Sequence, residues 1–283
     1  MIVKVAVVGL GSDVIQSFNQ AIQLIGGIND LNTPQKSIIV KVGVFDHKTN
    51  HHTSVAVVDA IINSFDSAPK IFLAESENYK GKTLERLQKW NALFSERVVP
   101  FDLSGDTETR QVKVADETIG LSHILFKPNI FVSTHVLRTY EKGSILKNLL
   151  GLIPDKKKVR FHKKLEETLL DLYEAVGGVD LAVLDGTYLC GGVAPSASRT
   201  SINVLVVGRD AVAVEAVGYA LVGLNPEKIP IIKEAVKRGF GEGRMDKIQV
   251  LGEPFESVKE KITQLLKASK KKTRKSKTEK KAN

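Results

Sequence analysis

Short β-branched runs alternate with segments of helical periodicity, and this alternation constrains the fold more than any other feature. Strand-like runs occur at 2–9, 38–45, 71–74, 97–103, 129–134, 180–185, 202–207 and 247–251. Segments with helical spacing of apolar residues occur at 14–25, 54–65, 83–94, 143–150, 164–176, 210–222, 227–238 and 255–267. Strands that alternate with helices form mainly parallel sheets with helices on both faces. The pattern therefore predicts a layered α/β fold.

The polar stretch 104–120 divides the chain into two halves. It is rich in Thr, Asp and Glu, which indicates an irregular connection or a β-hairpin. We expect an N-terminal α/β lobe at 1–110 and a C-terminal α/β lobe at 111–266, as separate lobes or as one continuous domain. The pattern leaves open whether the two halves share one sheet.

The basic charge is concentrated at the C-terminus. Of the formal net charge of +9, residues 267–283 contribute nine Lys or Arg and one acid, whereas the first 266 residues carry 32 basic and 31 acidic side chains. A lysine-rich segment without apolar anchors is typical of disorder. It could bind nucleic acid through phosphate contacts, or act only as a solubilising extension.

Several protein classes are disfavoured by composition. The single cysteine, Cys190, excludes an intramolecular disulfide and a four-cysteine metal or iron–sulfur site, and its small neighbours favour a structural role. The N-terminal run has no signal-peptide pattern. The most apolar stretch, 202–224, contains Arg209, Asp210 and Glu215, which disfavours a membrane span. We therefore expect a cytoplasmic protein; its cofactors and oligomeric state stay open.

The first strand is followed by Val8-Gly9-Leu10-Gly11-Ser12-Asp13-Val14. Two glycines after a strand are similar to the start of a dinucleotide-binding turn, with Ser12 as the helix N-cap. The third glycine position is Val14, and Asp13 would place negative charge near the anion. The alternative is a tight turn with a cap.

Three histidines follow the second strand. His47, His51 and His52 lie close to Asp46 in the sequence, and imidazoles at this density are candidate ligands for zinc or iron. A fourth ligand is not evident, and surface-loop histidines are the alternative.

The densest polar group extends from Arg138 to His162. Lys147 and Asn148 lie in a helix that ends near Gly151-Leu152-Ile153-Pro154, and Lys158, Arg160 and His162 follow in a basic loop. Because this loop is held at both ends, its charges could converge on a phosphate or carboxylate. His162 is the group there that titrates near neutrality, so it is the candidate acid/base. A solvated basic loop is the alternative.

Asp185 and Gly186 end another strand, before a small-residue loop at 186–198. Ligands of open α/β sheets bind beyond the carboxyl ends of strands. Asp185 could orient a base such as His162, bind a metal, or cap a turn. Glu75 has a similar placement after the third strand.

Most of residues 1–251 resembles the family known as domain of unknown function 362, specifically in the second half of the chain and loosely in the first. The similarity rests on LKNLLGLIPD at 146–155, the downstream His162, DLAVLDG at 180–186 and RDAVAVEAV at 209–217. The family's PKLKTH-type segment is replaced by His135-Val136-Leu137-Arg138-Thr139-Tyr140, and its KPN-type strand end by Lys41-Val42-Gly43. The resemblance implies a link with iron–sulfur modules and supplies no reaction. The functional positions that it implies are Lys147, Asn148, Gly151, His162, Asp185, Gly186 and Asp210.

Taken together, the residues predict an anion-binding cleft at the carboxyl ends of strands. The predicted ligand-binding residues are Arg138, Lys147, Asn148, Lys158, Arg160 and Gly186, and the predicted catalytic residues are His162 and Asp185. This prediction requires positions 147, 162 and 185 to share one hollow. The alternatives are a nucleic-acid-associated protein that binds through 267–283, and a partner of an iron–sulfur or electron-transfer system.

Overall fold

Strands from both halves of the chain join in one eight-stranded sheet. A computed structural model describes residues 2–49, 51–191 and 198–282, with side chains given to Ala268 apart from positions 198 and 199. The sheet order is β10-β1-β9-β8-β7-β2-β3-β4. Strand β9 is antiparallel to both of its neighbours, and the remaining pairs are parallel. The strands are β1 (Val3–Gly9), β2 (Ser37–Val42), β3 (Ile71–Glu75), β4 (Val98–Asp102), β5 (Thr109–Val114), β6 (Glu117–Ser122), β7 (Asn129–Arg138), β8 (Leu181–Gly191), β9 (Ser198–Gly208) and β10 (Ile248–Gly252).

Helices cover both faces of this sheet, which confirms the predicted α/β class. Successive strand residues point to opposite faces, so Ile39 and Val40 belong to different cores. The core around Val40 includes α1 and α2, and the core around Ile39 includes α4, α5, α6 and α7. The helices are α1 (Val14–Leu24), α2 (Val55–Ser64), α3 (Thr83–Leu87), α4 (Ile145–Asn148), α5 (Leu165–Ala175), α6 (Ala211–Leu221), α7 (Pro230–Lys237) and α8 (Phe255–Ala282).

The direction of chain progression reverses between β2 and β7. The chain adds β3 and then β4 on one side of β2, forms the separate β5–β6 hairpin, and returns to place β7 on the other side of β2. It then continues outward to β8. At such a reversal the flanking connections leave in opposite directions, and a crevice opens at the carboxyl ends of the two strands.

The β5–β6 hairpin lies in and just beyond the polar stretch 104–120. The sequence predicted either a hairpin or an irregular connection there. The hairpin's apolar residues Val114, Ile119 and Leu121 pack with Leu165 and Leu169 of α5 in one core. The lobe boundary predicted at residue 110 falls inside β5, and the division into lobes stays a prediction.

Two local predictions are corrected by the structure. The N-cap of α1 is Asp13 rather than Ser12, because Asp13 Oδ1 accepts a hydrogen bond of 2.9 Å from Gln16 N. Residues 186–191 belong to β8 rather than to a loop, since they pair with β9 as far as Gly191. The rest of the predicted loop, at 192–197, lies outside the described residues.

The last helix, α8, extends along the lysine-rich segment. Its apolar residues Val258 and Ile262 are buried in the core, and the backbone is helical to Ala282. The sequence predicts disorder for 267–283, and this stays a prediction about the chain in solution. Within the described part of the chain, no helix has the length and hydrophobicity that a bilayer crossing requires.

Candidate functional site

A cavity of about 280 Å³ lies at the carboxyl ends of β2, β3 and β7. Its wall opposite the strands is formed by α4, the turn that follows α4, and the basic segment 156–162. This is the crevice that the reversal of chain direction creates. The ionisable side chains in its lining are Lys41, Glu75, Tyr79, His135, Arg138, Tyr140, Lys147, Lys156, Lys158 and His162.

A buried ion pair forms part of the lining. Lys41 Nζ is 2.9 Å from Glu75 Oε1, and both side chains are almost inaccessible to solvent. Burial lowers the pKa of Lys41, and the Glu75 carboxylate acts in the opposite direction. Arg86 Nη1 lies 4.0 Å from Glu75 Oε2, so Glu75 is already compensated by two cations.

Asn148 joins α4 to the ends of β2 and β7. Its side-chain oxygen accepts a hydrogen bond of 3.1 Å from Lys41 Nζ, and its amide nitrogen donates to Lys41 O at 2.8 Å and to Thr134 O at 3.1 Å. Because the amide is buried and fully used by protein groups, Asn148 holds the wall of the cavity in place rather than offering free hydrogen bonds to a ligand.

The turn after α4 packs directly on the ion pair. A Cβ atom at Gly151 would lie 2.5 Å from both Lys41 Nζ and Glu75 Oε1. Real Cβ atoms do not approach other atoms this closely, so this position requires glycine for packing space. A similar limit applies at Gly43, where a Cβ would lie 2.3 Å from the His135 ring.

The start of α4 is held by a carboxylate from α6 that the sequence did not assign to the site. Glu215 accepts hydrogen bonds of 2.8 Å from Ser144 N and from Leu146 N. Burial raises the pKa of Glu215, and the backbone donors act in the opposite direction. The available signal was one acidic residue inside an otherwise apolar helix, which predicts a buried partner.

Arg138 is a buried cation at the end of β7. Its Nη1 donates to Tyr140 Oη at 2.6 Å, and its Nη2 lies 2.9 Å from His135 Nε2. Among the described residues, its buried Nε has no hydrogen-bond partner and its guanidinium has no carboxylate in ion-pair range. Burial, followed by the charges of Arg138 and Lys41, holds the pKa of His135 well below its usual value.

Lys147 and His162 meet at the cavity, as the sequence predicted they would if the two segments folded together. Lys147 Nζ is 3.2 Å from His162 Nε2. Burial, followed by the charges of Lys142 and Arg138, lowers the pKa of Lys147 to about 7. Burial and the neighbouring Lys147 also lower the pKa of His162. Both shifts favour the neutral form of the side chain, and Lys147 can therefore lose its proton close to neutral pH.

Lys158 adds a third amine to the lining. Its Nζ donates a hydrogen bond of 2.5 Å to Glu77 O. Burial lowers its pKa to about 8, and the attraction of Glu75 is opposed by Lys41 and Arg86. The lining is thus richer in cations than in anions.

Three predicted site residues lie outside this lining. Arg160 is exposed and pairs with Glu117 at 2.9 Å and with Asp155 at 2.5 Å. Asp185 is buried, and it accepts hydrogen bonds from Ser54 N at 2.6 Å and from Thr187 N at 2.8 Å. Gly186 lies within β8, where a Cβ would be 2.3 Å from Val204 O.

The expectation of one hollow for positions 147, 162 and 185 is therefore corrected. Asp185 is two residues from Val183, so it points to the sheet face that α1 and α2 cover. The cavity lies against α4, on the opposite face. Asp210, which the resemblance also implied, caps α6 by accepting hydrogen bonds from Ala213 N and Glu242 N.

The histidines after β2 do not gather into a metal site. His47 Nε2 lies 3.5 Å from Glu85 Oε1. His52 Nδ1 contacts Thr53 O, and its ring packs edge-on to Trp90. In the ranges that the structure describes, no three His, Cys, Asp or Glu side chains are grouped so that they could hold a metal ion.

The turn after β1 satisfies its own polar groups. Gly11 N donates to Ser17 Oγ at 3.1 Å, and Asp13 and Asp59 line the open hollow beside it. Two carboxylates would repel a pyrophosphate, so the structure favours the tight capped turn over a dinucleotide site.

Comparison with known proteins identifies one family. Residues 38–220 match the family described as Domain of unknown function (DUF362), which confirms the resemblance. No curated protein matches the chain. One solved structure with similarity is the lactate racemase apoprotein from Thermoanaerobacterium thermosaccharolyticum, with 11% identity and a TM-score of 0.48. The match covers 74% of this chain and 54% of that chain, so the chain spans about half the length of that protein.

Proposed function

The chain belongs to the DUF362 family, and we propose that it binds a small anionic molecule in the cavity at the ends of β2, β3 and β7. The ligand carries a phosphate or a carboxylate. Arg138, Lys147 and Lys158 supply the positive charge, and His162 is the group that can move a proton at the ligand.

One observation carries the proposal: the charges that line the cavity are unbalanced. Glu75 is paired with Lys41, whereas Arg138 and Lys147 have no ion-pair partner within the described part of the chain. Burying a cation beside other cations costs free energy, and the pKa of Lys147 is lowered first by burial and then by the charges of Lys142 and Arg138. An anion in the cavity would offset it, because it would restore an attractive partner for each cation.

The volume limits the size of the ligand. Pockets for drug-sized molecules measure about 300–1,000 Å³, and this cavity, at about 280 Å³, lies just below that range. Apolar lining from Val44, Phe45 and Leu150 suits a short carbon skeleton beside the charged group. We therefore expect a metabolite of a few carbon atoms rather than a nucleotide.

The test is a thermal-stability screen of the full chain against inorganic phosphate and small carboxylates at low ionic strength. We expect at least one anion to raise the Tm, because a ligand that binds only the folded state stabilises it. Arg138→Gln and Lys147→Ala should lose this response. Arg160→Gln is the matched control, since Arg160 is equally cationic but lies outside the cavity.

The proposal is wrong if no anion stabilises the parent protein. It is also wrong if Arg160→Gln removes the response as completely as Arg138→Gln does, because the effect would then come from general surface charge. Salt of the same ionic strength, such as potassium chloride, serves as the reference for nonspecific screening.

The link with iron–sulfur modules rests on the family resemblance and stays a prediction. The chain has a single cysteine, so a cluster would have to be held by another protein. Copurification of iron with a partner of the full chain would support this alternative.

A further inference from the structure

Lys147 differs from the other amines of the cavity in its hydrogen bonding. Lys41 is locked in an ion pair with Glu75. Lys158 donates to Glu77 O, and Lys156 lies 3.6 Å from the Glu77 carboxylate. Lys147 Nζ instead faces a ring nitrogen of His162 at 3.2 Å, and no carboxylate lies in ion-pair range of it among the described residues. Its lone pair is therefore available when the amine is neutral.

We propose that Lys147 is a nucleophile that forms an imine with a ligand carrying both a carbonyl and an anionic group, a 2-oxo acid being the simplest case. This inference rests on the proposed function and deepens it by naming the ligand class. The geometry that supports it is an amine, a base and a guanidinium in one small cavity.

The protonation state of the amine agrees with this role. An ordinary lysine is almost fully protonated at neutral pH and cannot attack a carbonyl. The pKa of Lys147 is lowered to about 7, first by burial and then by Lys142 and Arg138. A neutral amine is thus accessible at Lys147 near neutral pH.

His162 is placed to transfer the protons of the reaction. The Nζ lone pair of Lys147 attacks the carbonyl carbon, a C–N bond forms, and the carbonyl π electrons move to oxygen. His162 Nε2 takes a proton from nitrogen and gives it to that oxygen, which yields a carbinolamine. A second proton follows the same route as the C–O bond breaks, and the products are a neutral imine and one water. Each step needs only groups already at the cavity.

Arg138 supplies the site for the anionic end of the ligand. Its planar guanidinium is suited to a carboxylate, and its Nε is buried without a hydrogen-bond partner among the described residues. A carboxylate at Arg138 would bring an adjacent carbonyl toward the same cavity that Lys147 faces. A 2-oxo acid has these two groups on neighbouring carbons.

The experiment traps the imine by reduction. The full chain is incubated with pyruvate and sodium borohydride at pH 7.5, and its intact mass and peptide map are measured. We expect a single addition at Lys147, equal in mass to pyruvate less one oxygen atom. Lys147→Arg should abolish the addition while keeping a long basic side chain at this position, and His162→Gln should slow it and shift its pH dependence. Lys164→Arg is the matched control, because Lys164 is exposed and paired with Asp116.

Propionate, which has the carboxylate but no ketone, separates the two proposals. If pyruvate and propionate both raise the Tm but no addition is found at Lys147, the imine is wrong and anion binding stands. If neither raises the Tm and no addition forms, both proposals are wrong for this ligand class. Additions spread over surface lysines, unchanged in Lys147→Arg, would also overturn the imine.

Discussion

Two cavity lysines illustrate how the surroundings of one side chain decide its charge. Lys41 is fully buried, but it pairs with Glu75 and donates a hydrogen bond to Asn148 Oδ1. Lys147 is half-buried and faces cations and a histidine instead. In both cases burial disfavours the charged amine, but among the described residues Lys41 has a carboxylate in ion-pair range and Lys147 does not.

The charge on Lys147 should make stability depend on pH. The pKa of Lys147 is about 7 in the folded protein, below the ordinary 10.5. Above pH 10.5 the amine is neutral in both the folded and the unfolded state, and the pKa difference does not destabilise the fold. As the pH falls towards 7 the unfolded state takes up the proton more readily, so the free energy of unfolding decreases. We expect Lys147→Met to be more stable than the parent by about 1–2 kcal/mol at pH 7. The difference should shrink towards pH 10. Urea denaturation of both proteins at pH 7 and 10 measures it, and a gain that is the same at both pH values would contradict the assignment.

Removing the anion of the buried pair should be far more damaging. Glu75→Gln leaves Lys41 as an uncompensated buried charge, and such a change costs about 3–5 kcal/mol. The matched control is Glu77→Gln, whose carboxylate pairs with the exposed Lys156 at 3.6 Å and should change stability by less than about 1 kcal/mol. The free energy of unfolding from denaturant titration compares them. Equal effects of the two variants would show that the buried pair is not what stabilises this wall.

At the scale of elements, the N-terminal ends of α4 and of α2 are each held by a carboxylate from another secondary-structure element. Glu215 of α6 binds the backbone at the start of α4, and Asp185 of β8 binds the backbone of Ser54, the N-cap of α2. Unpaired backbone N–H groups at helix starts need acceptors. The first contact supports the wall of the cavity, and the second lies on the opposite face of the sheet.

Because Asp185 lies on the opposite face of the sheet from the cavity, its removal should affect stability but not anion binding. Asp185→Ala leaves the N–H groups of Ser54 and Thr187 without their acceptor, and we expect a loss of about 1–3 kcal/mol in stability. The increase in Tm that an anion produces should remain, because Asp185 is outside the cavity lining. Thermal scans with and without the anion test both statements. If a folded Asp185→Ala protein no longer shows the increase in Tm with the anion, Asp185 does contribute to anion binding.

At the scale of the whole molecule, the chain separates a nearly neutral folded body from a basic end. Nearly all of the net charge of +9 lies in residues 267–283. Any binding to nucleic acid by this segment would be electrostatic, would weaken steeply with salt, and would not read bases. It would also be independent of the cavity, which is built from residues 41–162.

Removal of residues 267–283 separates binding to nucleic acid by this segment from binding of a small anion in the cavity. We expect the shortened protein to lose retention on duplex DNA at moderate salt, while the increase in Tm with a small anion stays unchanged. Retention on a DNA column across a salt gradient and a parallel thermal scan measure the two effects. Retention that survives truncation would rule out the nucleic-acid alternative for this segment.

Local pattern alone predicted most of the elements and part of the site. The period of the apolar residues placed the main strands and helices close to their observed positions, since burial of a strand or helix face acts on neighbouring residues. It also placed Lys147 and His162 in flanking segments only 15 residues apart, where a contact is easy to foresee. The N-cap of α1 and the length of β8 were missed because they depend on hydrogen bonds to specific partners.

Tertiary structure alone decided which strand ends meet. The sequence determined an α/β fold, a cationic segment between β7 and β8, and a basic end, because each follows from local spacing and composition. Strand order is set by pairing between residues far apart in the chain, and this pairing put β7 beside β2. It brought Lys41 and Glu75 under α4, and it turned Asp185 to the other face. The local sequence pattern does not reveal which distant strands pair, so the contacts of Lys41 and Glu75 with the wall of the cavity became visible only in the folded molecule.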